Sequence, residues 1–211
     1  MTLDSILTKC DSGVWHVDGA HFERETFHDF HLPHRFGAVE FRDTHFDRCS
    51  VSPGSCMLGR GLTLRSVRFT DFSCGDAMHI DARVEMIDVP IEGSRSPRML
   101  WIRSGDEPAD LIREFSLDVS RYEGELWIDG VPIGQVTRNP QTQIAVDLNR
   151  FDGADWDALA IRGLSYWRMM AKKVQASGSR QGIVGLPSPS GRNYDTSMSE
   201  LERLRSEGVL Y

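Results

Sequence analysis

The sequence predicts a mainly β protein, a solenoid whose short strands wind around one shared core. From Trp15 to about Ile91 the chain divides into blocks of five residues, and the third position of nearly every block is apolar. Two interruptions, at 35–38 and 59–61, each follow a fourth block, which indicates four blocks per coil. Neither a helix of period 3.6 nor a strand of period 2 keeps an apolar set in phase every five residues.

The third positions of the blocks are expected to point inward. Apart from His79 they are apolar: Val17, Phe22, Phe27, Leu32, Phe41, Phe46, Val51, Cys56, Leu64, Phe69, Cys74, His79, Val84 and Val89. The coils are predicted to start at Trp15, Val39, Leu62 and Ala82. Because stacked coils place equivalent residues over each other, we expect one inward file made of Phe22, Phe46, Phe69 and Val89.

Several blocks have the same form, with a central Phe, as in AHFER, THFDR and VRFTD. Alanine occupies the first position of three blocks, at Ala20, Ala77 and Ala82. The pattern resembles the pentapeptide-repeat family, whose blocks run approximately Ala-(Asp/Asn)-Leu-x-x. The resemblance covers about residues 15–91 and implies a right-handed β-helix with four sides and one block per side. Residues 1–14, with a short helix from Leu3 to Lys9, are expected to cap its start.

Beyond Ile91 the five-residue phase ends, and residues 92–176 are predicted to combine irregular β structure with a helix. Strands are expected at Met99 to Ile102, Phe115 to Val119 and Glu125 to Val136. These strands form either a fifth, irregular coil or an antiparallel cap.

The helix is predicted near 155–176, because apolar residues between Trp156 and Val174 recur at a spacing of three and four. Asp152 or Asp155 is expected to cap its start. The last segment, 177–211, is predicted to be a linker over 177–197 followed by a short helix from Met198 to Ser206.

Composition and charge exclude several classes of protein. The net charge of −7 argues against general binding of nucleic acid through its phosphates. No apolar run is long enough to span a bilayer, and the N-terminus lacks the pattern of a secretory signal. Four cysteines without a CxxC motif fit buried thiols in a reducing cytoplasm. We therefore expect a cytoplasmic protein.

Charged residues and histidines at outward block positions are the predicted partner-binding residues. They are Asp18, Glu23, Asp43, Asp47, Asp71, His21, His45 and Arg68. The predicted stacking puts His21 over His45, with Arg68 next, and His28, His31 and His34 lie along one corner. No Cys, Asp or Glu stands at a spacing that completes a tetrahedral site with these histidines. We predict neither a metal nor a cofactor.

A second set of residues is predicted to form a packing or dimer surface. On the fourth side of the coil, Met57, Leu58, Met78 and Ile80 fall at outward positions, where the C-terminal half or a second subunit should cover them. Trp156, Trp167 and Met170 are expected either to cap the open coil or to build a homodimer interface.

No catalytic motif such as GxSxG, HExxH or a P-loop is present in the sequence. We therefore expect a non-enzymatic protein that presents a rigid acidic surface to a protein partner. The family resemblance implies a DNA mimic that inhibits or protects a DNA-handling enzyme such as gyrase, whereas size and acidity fit a toxin-immunity protein. The competing hypothesis is a carbohydrate-active or other enzyme with a groove beside the insertions at 35–38 and 59–61.

Overall fold

The computed structural model describes residues 8–9, 15–17, 19–93, 97–103 and 114–211. Parallel strands wind into a β-solenoid of about five turns, and we label its four sides A to D in chain order. Side A holds β2 (Trp15–Val17), β5 (Arg35–Phe36), β9 (Cys56–Leu58), β13 (Ala77–Asp81), β15 (Met99–Arg103) and β17 (Glu125–Asp129). Strand β1 (Thr8–Lys9) pairs antiparallel with β2, so these two residues of the predicted N-terminal helix are a strand. The rest of that helix lies outside the described residues.

Sides B, C and D complete each coil. Side B holds β3 (Ala20–Glu23), β6 (Val39–Arg42), β10 (Thr63–Arg65), β16 (Phe115–Asp118) and β18 (Val136–Thr137), and side C holds β4 (Thr26–His28), β7 (His45–Asp47) and β11 (Arg68–Thr70). The long strand β14 (Glu85–Glu92) serves both sides. Side D holds β8 (Ser50–Val51), β12 (Ser73–Cys74) and a bridge between His31 and Ser50.

The corners on both edges of side C use left-handed backbone at the fifth block position. Asp43 and Asp71 have φ values of 50° and 49°. Their backbone N–H groups donate to carbonyls of the next coil, Arg65 and Glu92, at 2.9 Å. Aspartate tolerates this conformation better than most residues. The geometry therefore explains why the fifth position is polar while the third is apolar.

The interior contains two aromatic files, where the sequence predicted one. One file consists of Phe27, Phe46, Phe69 and Ile91, and the neighbouring file consists of Phe22, Phe41, Leu64 and Met86. The pair Phe46–Phe69 is as predicted, with ring centroids 4.9 Å apart. Placing Phe22 and Val89 in that file was wrong. Arg35 and Phe36, part of the predicted interruption at 35–38, pair in register with His16 and Val17. The predicted alignment of Trp15 with Val39 is therefore wrong, because Val39 pairs with Ala20 on side B.

Side A follows a different rule from the other sides. Its strands alternate with a period of two, so Cys56 and Leu58 both point into the core with Met57 between them. Likewise Met78 and Ile80 are buried and His79 is half-buried. The predicted outward orientation of Leu58, Met78 and Ile80 is wrong, as is the inward orientation of His79. Of the predicted outward set only Met57 is exposed, at 45%.

The solenoid continues past Ile91, because β15, β16 and β17 stack in parallel on the preceding coils. An antiparallel pair then closes side A: β20 (Gln181–Gly185) joins β17, and β19 (Gln143–Asp147) joins β20. The predicted linker over 177–197 thus contains a strand, whose buried Ile183 and Val184 pack against the two cores. Linker composition did not reveal this strand because only three residues of it are buried.

Three helices cover the outer face of this closing pair: α1 (Leu148–Asp152), α2 (Tyr166–Ala176) and α3 (Tyr194–Ser206). The predicted amphipathic helix is α2, but it begins at Tyr166 and is capped by Ser165. The predicted cap at Asp152 or Asp155 is wrong, because Asp152 ends α1 and Asp155 accepts from the N–H of Ala158 in a turn. The predicted final helix is α3, which begins at Tyr194 rather than Met198. No helix among the described residues is long and apolar enough to cross a membrane.

The helices bury most of the residues that were predicted as a dimer surface. Trp167 is fully buried against strands β19 and β20, and its indole N–H donates to the carbonyl of Ser197 at 2.7 Å. Met170 is also buried, and Trp156 is half-buried between Phe151 and the Arg168 guanidinium. These side chains therefore pack within the second core cluster of the same chain.

Candidate functional site

The outward side chains of sides B and C form a surface that we call the charged face. On side B, His21 Nδ1 lies 3.1 Å from Glu40 Oε2, and Arg42 donates to Glu40 at 2.9 Å. The Arg42 hydrogen bond, with help from His21, holds the pKa of Glu40 below its usual value. Glu23 is exposed beside Arg24, at 3.6 Å. Each carboxylate here thus lies next to a cationic or titratable partner.

On side C, two neighbouring coils share a cluster of acid, histidine and arginine. His28 Nδ1 lies 2.5 Å from Asp47 Oδ2. Arg48 donates two hydrogen bonds of 2.9 Å to Asp29, which raise the pKa of this guanidinium. Bidentate pairs of this kind fix the orientation of both side chains.

The next rung of side C places His45 beside Arg68 in register, as predicted, and His45 Nε2 contacts Thr70 Oγ1 at 3.0 Å. Arg68 donates to Glu92 at 2.8 Å, and Arg121 lies 3.1 Å from the other oxygen of that carboxylate. The predicted stacking of His21 over His45 is wrong, because the two histidines belong to different sides of the coil.

The remaining predicted binding residues lie at corners or beyond the described part of the chain. Asp43 and Asp71 occupy the left-handed corners on either edge of side C, and Asp18 lies outside the described residues. Among the residues that the structure describes, no three His, Cys, Asp or Glu side chains are grouped to hold a metal ion. His31 and His34 instead contact Ser50 Oγ and the Pro53 carbonyl separately.

Side A carries a second surface, which the five-residue phase concealed. Met57, His79, Trp101 and Trp127 stand in register on successive strands and form what we call the aromatic row. The ring centroids of His79 and Trp101 are 5.3 Å apart, and burial lowers the pKa of His79. The available signal was the repeated triplet of one polar or aromatic residue between two aliphatic ones, as in Leu100-Trp101-Ile102.

The aromatic row ends in a cavity of about 340 Å³ between side A and the C-terminal end of α2. It is lined by Met99, Trp101, Arg103, Trp127, Asp129, Lys173, Ala176 and Ser177. The indole N–H of Trp127 donates to Asp129 Oδ2 at 2.5 Å. Lys173 Nζ lies 5.7 Å from the centroid of the Trp127 ring, within the range of a cation–π contact.

Comparisons with protein-family models, curated proteins and solved structures found no match for this chain. The β-solenoid is established by its parallel registers. The coil geometry is the basis for assigning a family. The charged face and the aromatic row are the basis for inferring a function.

Proposed function

We propose that this chain is a non-enzymatic binding protein that docks a protein partner on the charged face. Between Trp15 and Gly93 the sequence has thirteen Asp and Glu against eight Lys and Arg, a net charge of −5. A partner with a basic surface is favoured by this excess of carboxylates.

The observation that carries the proposal is the fixed, in-register order of the charged side chains. On side C, His28 is in register with Asp47 on the next coil, and His45 is in register with Arg68 on the coil after that. Behind them, stacked rings such as Phe46 and Phe69 fill the core. Charges that are already held in place lose little conformational freedom on binding, which favours affinity and specificity.

The charged face is better suited to a protein partner with a mixed-charge surface than to the DNA-binding groove of an enzyme. A DNA mimic needs a continuous line of unpaired carboxylates, whereas arginines interrupt this face at Arg42, Arg48 and Arg68. We therefore favour an inhibitor of the immunity type, which blocks one protein partner, over a gyrase-type DNA mimic.

The same geometry supports a divergent pentapeptide-type solenoid. Sides B and C keep the five-residue spacing between Phe41 and Phe46 and between Leu64 and Phe69, with left-handed corners at Asp43 and Ser66. Side A departs from that pattern because its strands from β9 onward alternate between buried and outward residues.

Affinity capture from the native host, using the full chain as bait, tests this function. The variant Glu23→Lys, Asp47→Lys, Asp71→Arg reverses three carboxylates, and Arg48 shows that arginine is accepted at a corner of this kind. We expect one stoichiometric protein with the natural chain, and at least about tenfold weaker binding to the variant, with strong salt dependence.

The matched control reverses three exposed carboxylates of the cap, Asp195→Lys, Glu202→Lys and Glu207→Lys, and so changes the net charge equally. It should bind the partner like the natural chain. Equal loss in both variants, or no loss in either, would show that the charged face is not the docking surface.

A further inference from the structure

We propose that the cavity at the end of the aromatic row binds a small ligand in which a flat aromatic ring carries a negatively charged group. This site lies on side A, away from the charged face of sides B and C, and does not depend on the protein-binding function.

Two indole rings contribute to the walls of the cavity. Trp101 and Trp127 are in register on neighbouring strands, yet Trp101 packs on His79 at 5.3 Å while Trp127 is hydrogen-bonded to Asp129. Both indoles are only half-buried. With Met99 and Ala176 they give a lining that is mostly apolar and partly flat, the surface on which an aromatic ring packs best.

The accessible charges among the described lining residues are positive, although the whole chain has a net charge of −7. Arg103 on β15 and Lys173 on α2 are both exposed and come from different elements. Among the lining residues that the structure describes, the one carboxylate, Asp129, is 1% exposed and already accepts the hydrogen bond from Trp127. An anion is therefore attracted, and a cationic ligand, which aromatic cages otherwise favour, is repelled by the same two side chains.

The volume restricts the ligand to a small one. About 340 Å³ is at the lower end of the range of roughly 300–1,000 Å³ that small-molecule pockets occupy. Nucleoside monophosphates and aryl carboxylates both combine a planar ring with an anion at this size. The shared chemistry is the proposal, and the two sources are distinguished by experiment.

Binding is measured by isothermal titration calorimetry with four probes: adenosine 5′-monophosphate, adenosine, indole-3-acetate and indole-3-acetamide. We expect one of the two anions to bind at least about tenfold more tightly than its neutral counterpart, because only the anion is attracted by Arg103 and Lys173. Whichever anion binds identifies the source. Inorganic phosphate alone should bind more weakly than either aromatic anion.

Variants assign the binding to this cavity. Lys173→Met and Arg103→Gln should each weaken the anion by several fold, and Trp101→Ala should weaken both the anion and its neutral counterpart. Lys172→Met, an exposed neighbour on α2 that does not line the cavity, is the matched control and should bind like the natural chain.

Three results would overturn the proposal: no binding of either anion at millimolar concentration, equal binding of anion and neutral counterpart, or anion binding unaffected by Lys173→Met. Far-UV circular dichroism of each variant excludes loss of fold as the cause. Because the charged-face variant retains all cavity residues, its partner binding and the ligand binding measured here fail independently.

Discussion

Sides A and C of the same coil orient their side chains differently. On side C each short strand sends one large residue inward, such as Phe46, and holds its outward charges in ion pairs and hydrogen bonds. On side A the strands from β9 onward alternate, burying residues such as Met78 and Ile80 and leaving the aromatic row outside. The two sides thus differ in which strand positions face inward: the middle residue of the three in β7, but the first and last of the three in β9.

The two faces consequently offer different interactions. Charges on side C are already paired with each other, so a partner must match their order. On side A, Trp101 packs on His79 at a tilted angle and also borders the cavity. The first surface is suited to recognition by charge pattern, and the second to recognition of a ring.

The largest effect is expected in the interior of side C. Phe46 is 1% exposed and stacks between Phe27 and Phe69, with ring centroids at 5.2 and 4.9 Å. Phe46→Ala should lower the free energy of unfolding by about 3–5 kcal/mol, because the lost ring leaves a cavity. Denaturant unfolding measures this loss. As a control, Met57→Ala on the outside of side A should change the free energy of unfolding by less than about 0.5 kcal/mol. A loss below about 1 kcal/mol for Phe46→Ala would contradict the stacking of Phe46 in the core.

A second experiment tests the alternation on side A. Ile80→Ala should lower the free energy of unfolding by about 2–4 kcal/mol, since Ile80 is buried in the core. His79→Ala, one residue earlier, should lower it by less than about 1 kcal/mol because this ring faces outward. Equal losses for the two neighbours, again from denaturant unfolding, would mean that side A does not alternate.

The sequence was sufficient to predict the solenoid because third-position residues such as Phe46 and Phe69 keep a strict five-residue phase on sides B and C. It was insufficient on side A, where Arg35 and Phe36 occupy a whole strand with only two residues. An interruption of the repeat and a short side have the same appearance in a sequence. Only the pairing of Phe36 with Val17 and Leu58 distinguishes them.

The candidate sites were predictable to different degrees for the same reason. Residues on sides B and C, such as Asp47 and Arg68, were predicted as outward and are outward, although their neighbours across strands were partly misassigned. Trp101 and Trp127 were not predicted at all, because they lie beyond the five-residue phase. Lys173 reaches the cavity from a helix more than forty residues away in sequence, and such a contact is set by tertiary packing.

The smallest effect is expected where side A ends in a local ion pair. Asp81 accepts two hydrogen bonds from the Arg83 guanidinium, at 2.8 and 2.6 Å, and these hold its pKa below the usual value. A lowered pKa in the folded state stabilises the fold above the unfolded pKa of about 3.9, and this contribution is lost as the pH falls through the lowered value. Asp81→Asn should therefore reduce the free energy of unfolding by about 0.5–1 kcal/mol at pH 7, a range typical of partly exposed pairs.

The difference between Asp81→Asn and the natural chain should stay constant from pH 7 to about 4 and shrink as the pH falls further through the lowered pKa, because the Asp81 carboxylate is then protonated. Urea unfolding across this range measures it, with Asp76→Asn, an exposed carboxylate just before β13, as the control. A difference that stays constant or grows at low pH would show that the ion pair is not its source. The pair joins residues two apart on one coil, whereas Arg68 and Glu92 on side C join successive coils. A difference that shrinks with falling pH would therefore identify a charge interaction within a single coil as the source of the effect.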